Sequence, residues 1–377
     1  MKGPYSLNLI LSVVMFLVFP IIGIPGASAT NNCSFTTTGT VMMLNGNCTT
    51  DSTILIPNGF TLDGAGFTIT AVDPPGGHFL GAVVKNAGAT ANVMNLKVTT
   101  SGLANVCDGG ADRLRGILFE SASGSITNNT VLNINQGSSG CQEGNAIEAR
   151  NPPFDGTHPA TKSVTITGNT IDNYQKTGIL VNGDVDATIH QNAVSGLGMV
   201  PFIAQNGIQV GFGATASVKR NAVSDNWFTG ADFASTGVLL FQVSDVTAEG
   251  NTASHNQVGV AVETWCFLSG PASAGDNHVV RNTVNGAQLG VSVHAFTFFS
   301  SCNPDASNNK VVNNSISTSV TPVGPGVSVG AFDLDIPGPG FTPSAVNNKV
   351  IANTIVGHSP QIDTSAATKT KVQANGP

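Results

Sequence analysis

The sequence is poor in charge, in aromatic rings and, beyond its first residues, in long apolar runs. Charged residues make up 10% of the 377 residues and aromatic residues 6%, whereas about a quarter of an average globular protein is charged. The formal charge is −7, and the lack of a basic cluster argues against a nucleic-acid partner. Gly, Asn, Ser, Thr and Val are abundant instead, which favours short strands joined by turns over long helices.

The first 29 residues have the pattern of a secretory signal peptide. Lys2 is followed by an apolar run over 9–24 and by small residues at 27–29, as at a cleavage site. Pro20 interrupts the apolar run, which argues against a retained membrane anchor, and no later stretch approaches the roughly 18 apolar residues of a membrane span. We therefore expect a secreted or periplasmic protein whose mature chain begins near Thr30.

Two short motifs alternate along most of the chain. The first is Val/Ile, two residues, Asn, one residue, Val/Ile, with one degraded copy, and its Asn residues are Asn129, Asn169, Asn192, Asn221, Asn251, Asn282, Asn314 and Asn353. The second is usually Gly-Val/Ile-x-Val/Leu, as in 178–181 and 207–210. Each alternates with period two and predicts a short strand. Two or three such strands in each repeat predict a parallel β-helix whose inward Val and Ile form a continuous core.

The repeated Asn marks a tight bend after a strand. Asn tolerates the left-handed backbone region, so we expect the Asn to lie in or near that region at the bend. Because the coils are stacked, we also expect the Asn side chains to hydrogen-bond from one coil to the next.

Residues 54–69, with a Leu-Asp-Gly-Ala-Gly corner, and residues 92–98 resemble the first coils of the pectate-lyase-like β-helix superfamily, including its NosD-type repeat proteins. The resemblance covers about 54–357 and implies an all-β, single-stranded right-handed parallel β-helix. We expect a signal peptide at 1–29, an N-terminal cap at 30–53, the β-helix at 54–357 and a C-terminal cap or tail at 358–377.

Six cysteines in an exported chain predict disulfides, and the absence of any CxxC spacing argues against a metal site. Fifteen pairings are open to six cysteines. Stacked coils favour pairs of sequence neighbours, of which the last two would join neighbouring coils: Cys33–Cys48, Cys107–Cys141 and Cys266–Cys302.

The superfamily resemblance implies a binding groove along one sheet, and the Gly-Val/Ile strands are the natural candidate. Strand alternation predicts two columns of outward residues. One column reads Glu120, Arg150, Asn182, Gly211, Phe241, Glu263, His294, Gly330 and the other Leu118, Glu148, Leu180, Gln209, Leu239, Ala261, Ser292, Ser328. A register error of one residue would invert both columns.

The charges in these columns form two groups. Glu120, Glu148 and Arg150 form the first; Glu263 and His294, with Asp333 and Asp335 in the next coil, form the second. Coils about 4.8 Å apart would let Glu263 contact His294 and raise its pKa, with Asp333 about 9–10 Å from Glu263, near the separation of inverting glycosidases.

These groups predict a polysaccharide lyase or glycoside hydrolase. The candidate catalytic residues are Glu263, His294, Asp333, Glu148 and Arg150. The candidate substrate-binding residues are Glu120, Asn182, Gln209, Phe241, Trp265 and Phe296, since rings beside carboxylates suit the faces of sugars. The alternatives are a non-catalytic carbohydrate-binding protein and a structural scaffold, in which Glu120 and Arg150 form only a surface ion pair.

Several motifs of the superfamily's enzymes are missing. The sequence lacks the Asn-Thr-Asp, Asp-Asp and Gly-His-Gly motifs of polygalacturonases and the Asp-Pro-His-Glu motif of mannuronan epimerases. The resemblance allows for calcium, but no Asp cluster has a suitable spacing, so no cofactor is evident and no metal ligands are predicted. The expected partner is a polysaccharide or glycan, without nucleic acid or a stable membrane span, and we expect a monomer.

Overall fold

The computed structural model describes residues 31–154, 160–231, 233–265, 272–297, 302–334 and 342–377. In these ranges the chain forms β-strands and one short 3-10 turn, Gly110–Asp112. Consecutive strands belong in turn to three long sheets, here called A, B and C, and nearly all neighbouring strands are parallel.

The three sheets run the length of the molecule. Sheet A contains β1 (Phe35–Thr38), β2 (Val41–Leu44), β5 (Phe60–Asp63), β8 (Thr90–Met94), β11 (Ser123–Thr127), β14 (Lys162–Thr167), β17 (Val185–His190), β20 (Thr215–Lys219), β23 (Thr247–Glu249), β26 (His278–Val280), β29 (Lys310–Val312), β32 (Lys349–Ile351) and β35 (Lys371–Gln373). Sheet B contains β3 (Cys48–Thr50), β6 (Thr68–Ala71), β9 (Lys97–Thr100), β12 (Thr130–Leu132), β15 (Thr170–Asp172), β18 (Ala193–Val200), β21 (Ala222–Phe228), β24 (Thr252–Ser254), β27 (Thr283–Asn285), β30 (Ser315–Ser317) and β33 (Thr354–Val356). Sheet C contains β4 (Ile54–Ile56), β7 (Ala82–Asn86), β10 (Arg115–Glu120), β13 (Asn145–Asn151), β16 (Thr177–Gly183), β19 (Asn206–Gly211), β22 (Thr236–Phe241), β25 (Val258–Trp265), β28 (Leu289–Thr297), β31 (Val327–Asp333) and β34 (Ile362–Ala366). The predicted all-β parallel helix is confirmed.

The core is a stack of aliphatic side chains enclosed by the three sheets. The Gly-Val/Ile motif forms the strands of sheet C, and its first apolar position is fully buried in eight successive coils: Ile117, Ile147, Ile179, Ile208, Val238, Val260, Val291 and Val327. A glycine precedes this position in seven of the eight coils, with Ala146 in the other, and the glycine has a packing reason. A Cβ on Gly207 would lie 2.6 Å from the carbonyl oxygen of Gly237 in the next coil and 2.1 Å from Val223 Cγ1, so only glycine allows this approach.

The predicted Asn ladder is present, and the residue before each ladder Asn forms the bend. Asn192 donates from its backbone N and from Nδ2 to Asn221 Oδ1, each at 2.9 Å, and from Nδ2 to the carbonyl oxygen of Ile166 at 2.9 Å. The residue in the left-handed region is the one before each ladder Asn, such as Gln191 or Arg220. Each ladder Asn thus lies next to the left-handed residue rather than adopting that conformation itself: the left-handed residue turns the chain, and the following Asn points into the buried stack.

A second Asn ladder was not predicted from the sequence. Asn277 Nδ2 donates to Asn309 Oδ1 at 3.1 Å, and the backbone N of Asn309 donates to Asn348 Oδ1 at 2.8 Å. These amides precede strands of sheet A and satisfy buried backbone groups at another corner of the coil.

Strands outside the predicted range 54–357 also join the sheets. In the segment 30–53, β2 pairs with β5 and β3 pairs with β6, while β1 folds back antiparallel on β2. After residue 357, β34 pairs with β31 and β35 pairs with β32. The antiparallel β1 covers an edge of sheet A that would otherwise expose unpaired backbone groups.

Two of the predicted disulfides are present. Cys33 is bonded to Cys48 and Cys107 to Cys141. Cys266 lies outside the described residues, so the pair Cys266–Cys302 stays a prediction, as does the signal peptide at 1–29. Within the described ranges, no helix is long and apolar enough to cross a membrane.

Candidate binding cleft on sheet C

The outward columns of sheet C have the predicted register. Glu120 pairs with Arg150, Arg150 with Asn182, and the series continues through Gly211, Phe241, Glu263, His294 and Gly330. The second column likewise runs from Leu118 to Ser328. The two predicted groups of charge therefore lie on the same face of the same sheet, several coils apart.

The first group is a network of ion pairs. Lys85 Nζ donates to Glu120 Oε2 at 2.6 Å, and Arg150 Nε donates to Glu120 Oε1 at 2.9 Å. Burial alone would raise the pKa of Glu120, but hydrogen bonds from Lys85 and Arg150 and their charges lower it below its ordinary value. The ion pair expected between Glu120 and Arg150 is thus present.

Glu148, predicted as catalytic, lies in a buried pair with Arg115. Arg115 Nε donates to Glu148 Oε2 at 2.5 Å, and Asn145 Nδ2 donates to the same oxygen at 2.9 Å. Arg115 is 1% exposed, and its other nitrogens donate to carbonyl oxygens of the loop at 110–113. Arg115 begins β10 and holds that loop against the sheet.

The second group borders a cleft of about 900 Å³. Five residues predicted for this site line the cleft: Gln209, Phe241, Glu263, Trp265 and Phe296. Other residues that line the cleft were not predicted from the sequence, among them Lys176, Phe202, Phe212 and Phe233. Asn182 is buried between Arg150 and Gly211 and does not line the cleft.

Aromatic rings form a continuous array along this face. Trp265 contacts Phe241, Phe233 and Phe296, with ring centroids 5.7–5.9 Å apart. Phe212 extends the array toward the earlier coils, with its centroid 5.3 Å from that of Phe241. Trp265 and Phe296 are register partners on neighbouring coils, and the rings of Phe212, Phe241, Trp265 and Phe296 meet edge to face in sequence. A row of aromatic side chains therefore follows the axis of the helix.

Glu263 is the only carboxylate among the described residues that line the cleft. It is half-buried, and burial raises its pKa to about 7, while a weak 3.5 Å hydrogen bond from Ser292 Oγ opposes the shift. No Lys, Arg or His of the described chain forms an ion pair with it. At neutral pH a large fraction of this carboxyl group therefore keeps its proton.

His294 does not behave as predicted. It is the register partner of Glu263, but its Nε2 lies 2.8 Å from Ser328 Oγ, and its ring packs edge-on against Phe296 and Phe332. The expectation that Glu263 raises the pKa of His294 is wrong. Burial among these rings lowers that pKa to about 4, so the imidazole is neutral at physiological pH.

Asp333 lies outside the column that contains Glu263. It pairs in register with Thr297, whose Oγ1 donates to Asp333 Oδ1 at 2.7 Å, and Gly330 occupies the expected place two coils from Glu263. Asp333 is three residues further along the strand, so the two Cα atoms are roughly 14 Å apart by strand and coil spacings. The predicted 9–10 Å pair is therefore wrong; Asp335 lies outside the described residues.

Lys176 marks the other end of the cleft. It directly precedes β16, is half-buried and donates from Nζ to the carbonyl oxygen of Ala204 at 2.6 Å. Burial lowers its pKa to about 8. The described residues contain no group of three or more His, Cys, Asp or Glu side chains that could hold a metal ion.

Comparisons with known proteins identify a matching sequence family and solved structures of similar fold. The sequence family described as right-handed β-helix region matches residues 156–332, and no curated protein matches the chain significantly. A mutant of the periplasmic alginate epimerase AlgG has a TM-score of 0.52 at 13% identity, over 89% of this chain and 84% of that one. The A-module of the Azotobacter vinelandii mannuronan C-5 epimerase AlgE4 gives 0.44 at 13% identity, over 84% and 87%. The Dettilon tailspike protein gives 0.42 at 16% identity, over 88% and 61%.

Proposed function

We propose that this chain, which is a right-handed parallel β-helix of the pectate-lyase-like fold, binds a polysaccharide in the cleft along sheet C. The aromatic array around Trp265 carries the proposal. Rings that present their faces to a cleft stack on the C–H faces of sugars, and Trp and Tyr or Phe are common anchors in such sites. The alginate epimerase AlgG shares the fold, so the architecture is compatible with a sugar polymer as ligand.

The extent of the cleft favours a polymer over a single sugar. Lys176 lies three coils before Glu263, and it stands at the start of its strand whereas Glu263 lies near the end of its own. By coil and residue spacings their Cα atoms are roughly 25 Å apart. A ligand that contacts both must therefore contain several sugar units. Amide side chains of Gln209, Asn206 and Gln257 also line the cleft and can pair with hydroxyl groups.

Cleavage of the bound chain is the second candidate, and Glu263 is the observation that favours it. A carboxyl group with a pKa of about 7 can donate its proton to the glycosidic oxygen as the bond from that oxygen to carbon breaks. Water would complete a hydrolysis, whereas loss of a carbon-bound proton to a base would complete an elimination. Since Asp333 and His294 are not placed to assist, the products must distinguish a glycoside hydrolase from a lyase.

The proposed location is the cell exterior or the periplasm. Disulfides form and persist mainly in oxidising compartments, and the bonds Cys33–Cys48 and Cys107–Cys141 support such a compartment.

The test is a binding and product assay with a panel of neutral and acidic polysaccharides. Wild type is compared with Trp265→Ala and Glu263→Gln, and Trp227→Ala is the matched control because Trp227 does not line the cleft. We expect Trp265→Ala to weaken binding about tenfold or more, Trp227→Ala to bind as wild type, and Glu263→Gln to bind but yield no products. Products 18 mass units lighter than hydrolytic fragments would identify elimination.

One outcome would contradict the binding proposal, and another would contradict only the cleavage of the bound chain. Equal affinity for the Trp265 and Trp227 variants would show that the cleft is not the binding site. Undiminished product formation by Glu263→Gln would remove this carboxyl group from the reaction while leaving the binding function standing.

A further inference from the structure

Four basic side chains form a column on the outer face of sheet A. His278, Lys310, Lys349 and Lys371 are register partners in four successive coils, from β26 to β35. Lys349 and Lys371 are exposed, and Lys369, also exposed, precedes the last strand. This basic column contrasts with the chain as a whole, which has 22 acidic residues against 15 basic ones.

Within the described ranges, the three lysines of the basic column form no ion pair with a carboxylate, whereas Asp276 and Asp245 act on His278 at its first position. None of Lys310, Lys349 and Lys371 lies within 4.0 Å of an acidic oxygen, and Lys310 Nζ is instead 3.0 Å from His278 Nε2. Burial and the charge of Lys310 lower the pKa of His278, so Lys310 donates to a neutral imidazole. The like charges that face each other on neighbouring strands are those of Lys310, Lys349 and Lys371, and such pairs are destabilising. Their repulsion would be relieved by an anion placed over the column.

Earlier coils of the same sheet show the contrasting arrangement. There Glu249 lies between Lys219, at 3.2 Å, and Arg281, with which it also forms an ion pair. Those basic groups are neutralised from within the chain, whereas the three lysines of the basic column lack such a neighbour among the described residues. The column therefore presents several charges in a line, spaced at about 4.8 Å by the stacking of the coils.

We infer that the basic column binds a linear acidic polysaccharide along the axis of the helix. A regular row of ammonium groups matches a polymer that carries an acid group on successive units, because each lysine can pair with a different unit. The parallel outward column of Val280, Val312 and Ile351 offers an apolar strip for the sugar backbone. It offers no aromatic ring on which a nucleic-acid base could stack, so a nucleic acid is the less suitable polyanion.

This surface is separate from the cleft, since it lies on sheet A rather than sheet C. A polymer held on the basic column would keep the protein near a surface rich in acidic sugars, which raises the effective concentration of chains at the cleft. The inference goes beyond the proposed function and does not require it.

The experiment measures binding of the full mature protein to immobilised polygalacturonate at low salt. The test variant is Lys349→Gln with Lys371→Gln. The matched control, Lys97→Gln with Lys162→Gln, removes the same charge from residues on β9 and β14, far from the column. We expect the test variant to bind about tenfold more weakly and the control to bind nearly as wild type, and the difference should vanish as salt screens the charges.

The competing explanations give distinct results. Equal losses in both double variants would show a non-specific charge effect and overturn the inference, as would tighter binding to duplex DNA than to polygalacturonate. Trp265→Ala should retain this salt-sensitive binding even where it abolishes binding in the cleft. Failure of the cleft proposal and failure of the basic column are therefore distinguishable.

Discussion

Two groups of charge share the outward columns of sheet C, yet their surroundings are opposite. Around Glu120 and Glu148, each carboxylate is within hydrogen-bond distance of a lysine or an arginine. Around Glu263, the neighbours are aromatic rings and the hydroxyl of Ser292. Glu120 and Glu263 occupy equivalent positions in the repeat, yet the pKa of Glu120 is lowered and that of Glu263 is raised to about 7.

The comparison shows that position in the repeat does not determine chemistry. Ion pairs with Lys85 and Arg150 lower the pKa of Glu120 and hold it in its charged form. Burial beside aromatic rings raises the pKa of Glu263 to near physiological pH. Perturbed ionisation inside a cleft is typical of functional sites. The first group is accordingly expected to matter for stability and the second for ligand chemistry.

The largest effect should come from removing the cation of the buried pair. Arg115→Met leaves Glu148 buried without its main partner, and we expect a loss of about 3–5 kcal/mol in the free energy of unfolding. Urea unfolding followed by circular dichroism would measure it, with the exposed Lys97→Met as control. A loss below about 1 kcal/mol would mean that the Glu148 pair is as dispensable as a surface pair.

The next largest effect is the acid sensitivity contributed by His294. Its pKa falls from 6.5 to about 4 on folding, so the unfolded chain binds the proton first as the pH falls. The folded state therefore loses stability between pH 6.5 and pH 4, by on the order of 3 kcal/mol.

The variant His294→Asn should lose that part of the pH dependence. The change in unfolding free energy between pH 7 and pH 4 is measured for wild type and for the variant. The difference between these two changes is the contribution of His294, because other titrating groups contribute equally to both. If both proteins lose the same stability on acidification, the imidazole is not buried as described.

Glu263 should produce a smaller effect of opposite sign. Its pKa rises from 4.5 to about 7 on folding, so the unfolded chain releases the proton first and the folded state loses stability as the pH rises through that interval. Glu263→Gln should therefore be more stable than wild type at pH 8, by on the order of 2 kcal/mol for a half-buried group. Thermal unfolding at pH 5 and pH 8 tests this, and a variant that is less stable than wild type at pH 8 would contradict it.

The smallest effect is expected at the exposed end of the first group. Glu120→Gln breaks partly solvated pairs with Lys85 and Arg150 and should cost under about 1 kcal/mol, less at high salt. Unfolding midpoints at two salt concentrations measure it. A larger, salt-independent loss would make Glu120 part of the buried network and would weaken the contrast with Glu148.

The repeat made much of the fold predictable. Period-two alternation anchored to the Gly-Val/Ile motif determines which side chains face outward, so the columns from Glu120 to Gly330 could be written from the sequence alone. Stacking of equivalent Asn residues followed from the same repeat, the pair Cys107–Cys141 followed from the proximity of adjacent coils, and Cys33–Cys48 followed from pairing neighbours in sequence.

The site was less predictable because loops outside the repeat complete it. Phe233 and Lys176 belong to segments between strands, where no period indicates their direction. The burial of His294 depends on Phe332 in the following coil. Asp333 lies three residues beyond Gly330, which is the residue at the register position of Glu263. The burial of Arg115 could have been predicted from the repeat. It stands two positions before the buried Ile117, where the polar residues Asn145 and Thr177 stand in later coils.

The Asn ladder has a consequence for how such a protein can change in size. Each interior member, such as Asn192, receives and donates the same hydrogen bonds as the next, so every junction between coils is chemically interchangeable. A whole coil can be duplicated or removed and the amides on either side will meet equivalent partners, with Asn375 closing the last junction. The cleft, by contrast, is formed by side chains that do not recur in every coil. Coils outside the cleft can therefore be added or lost without changing the residues that line it.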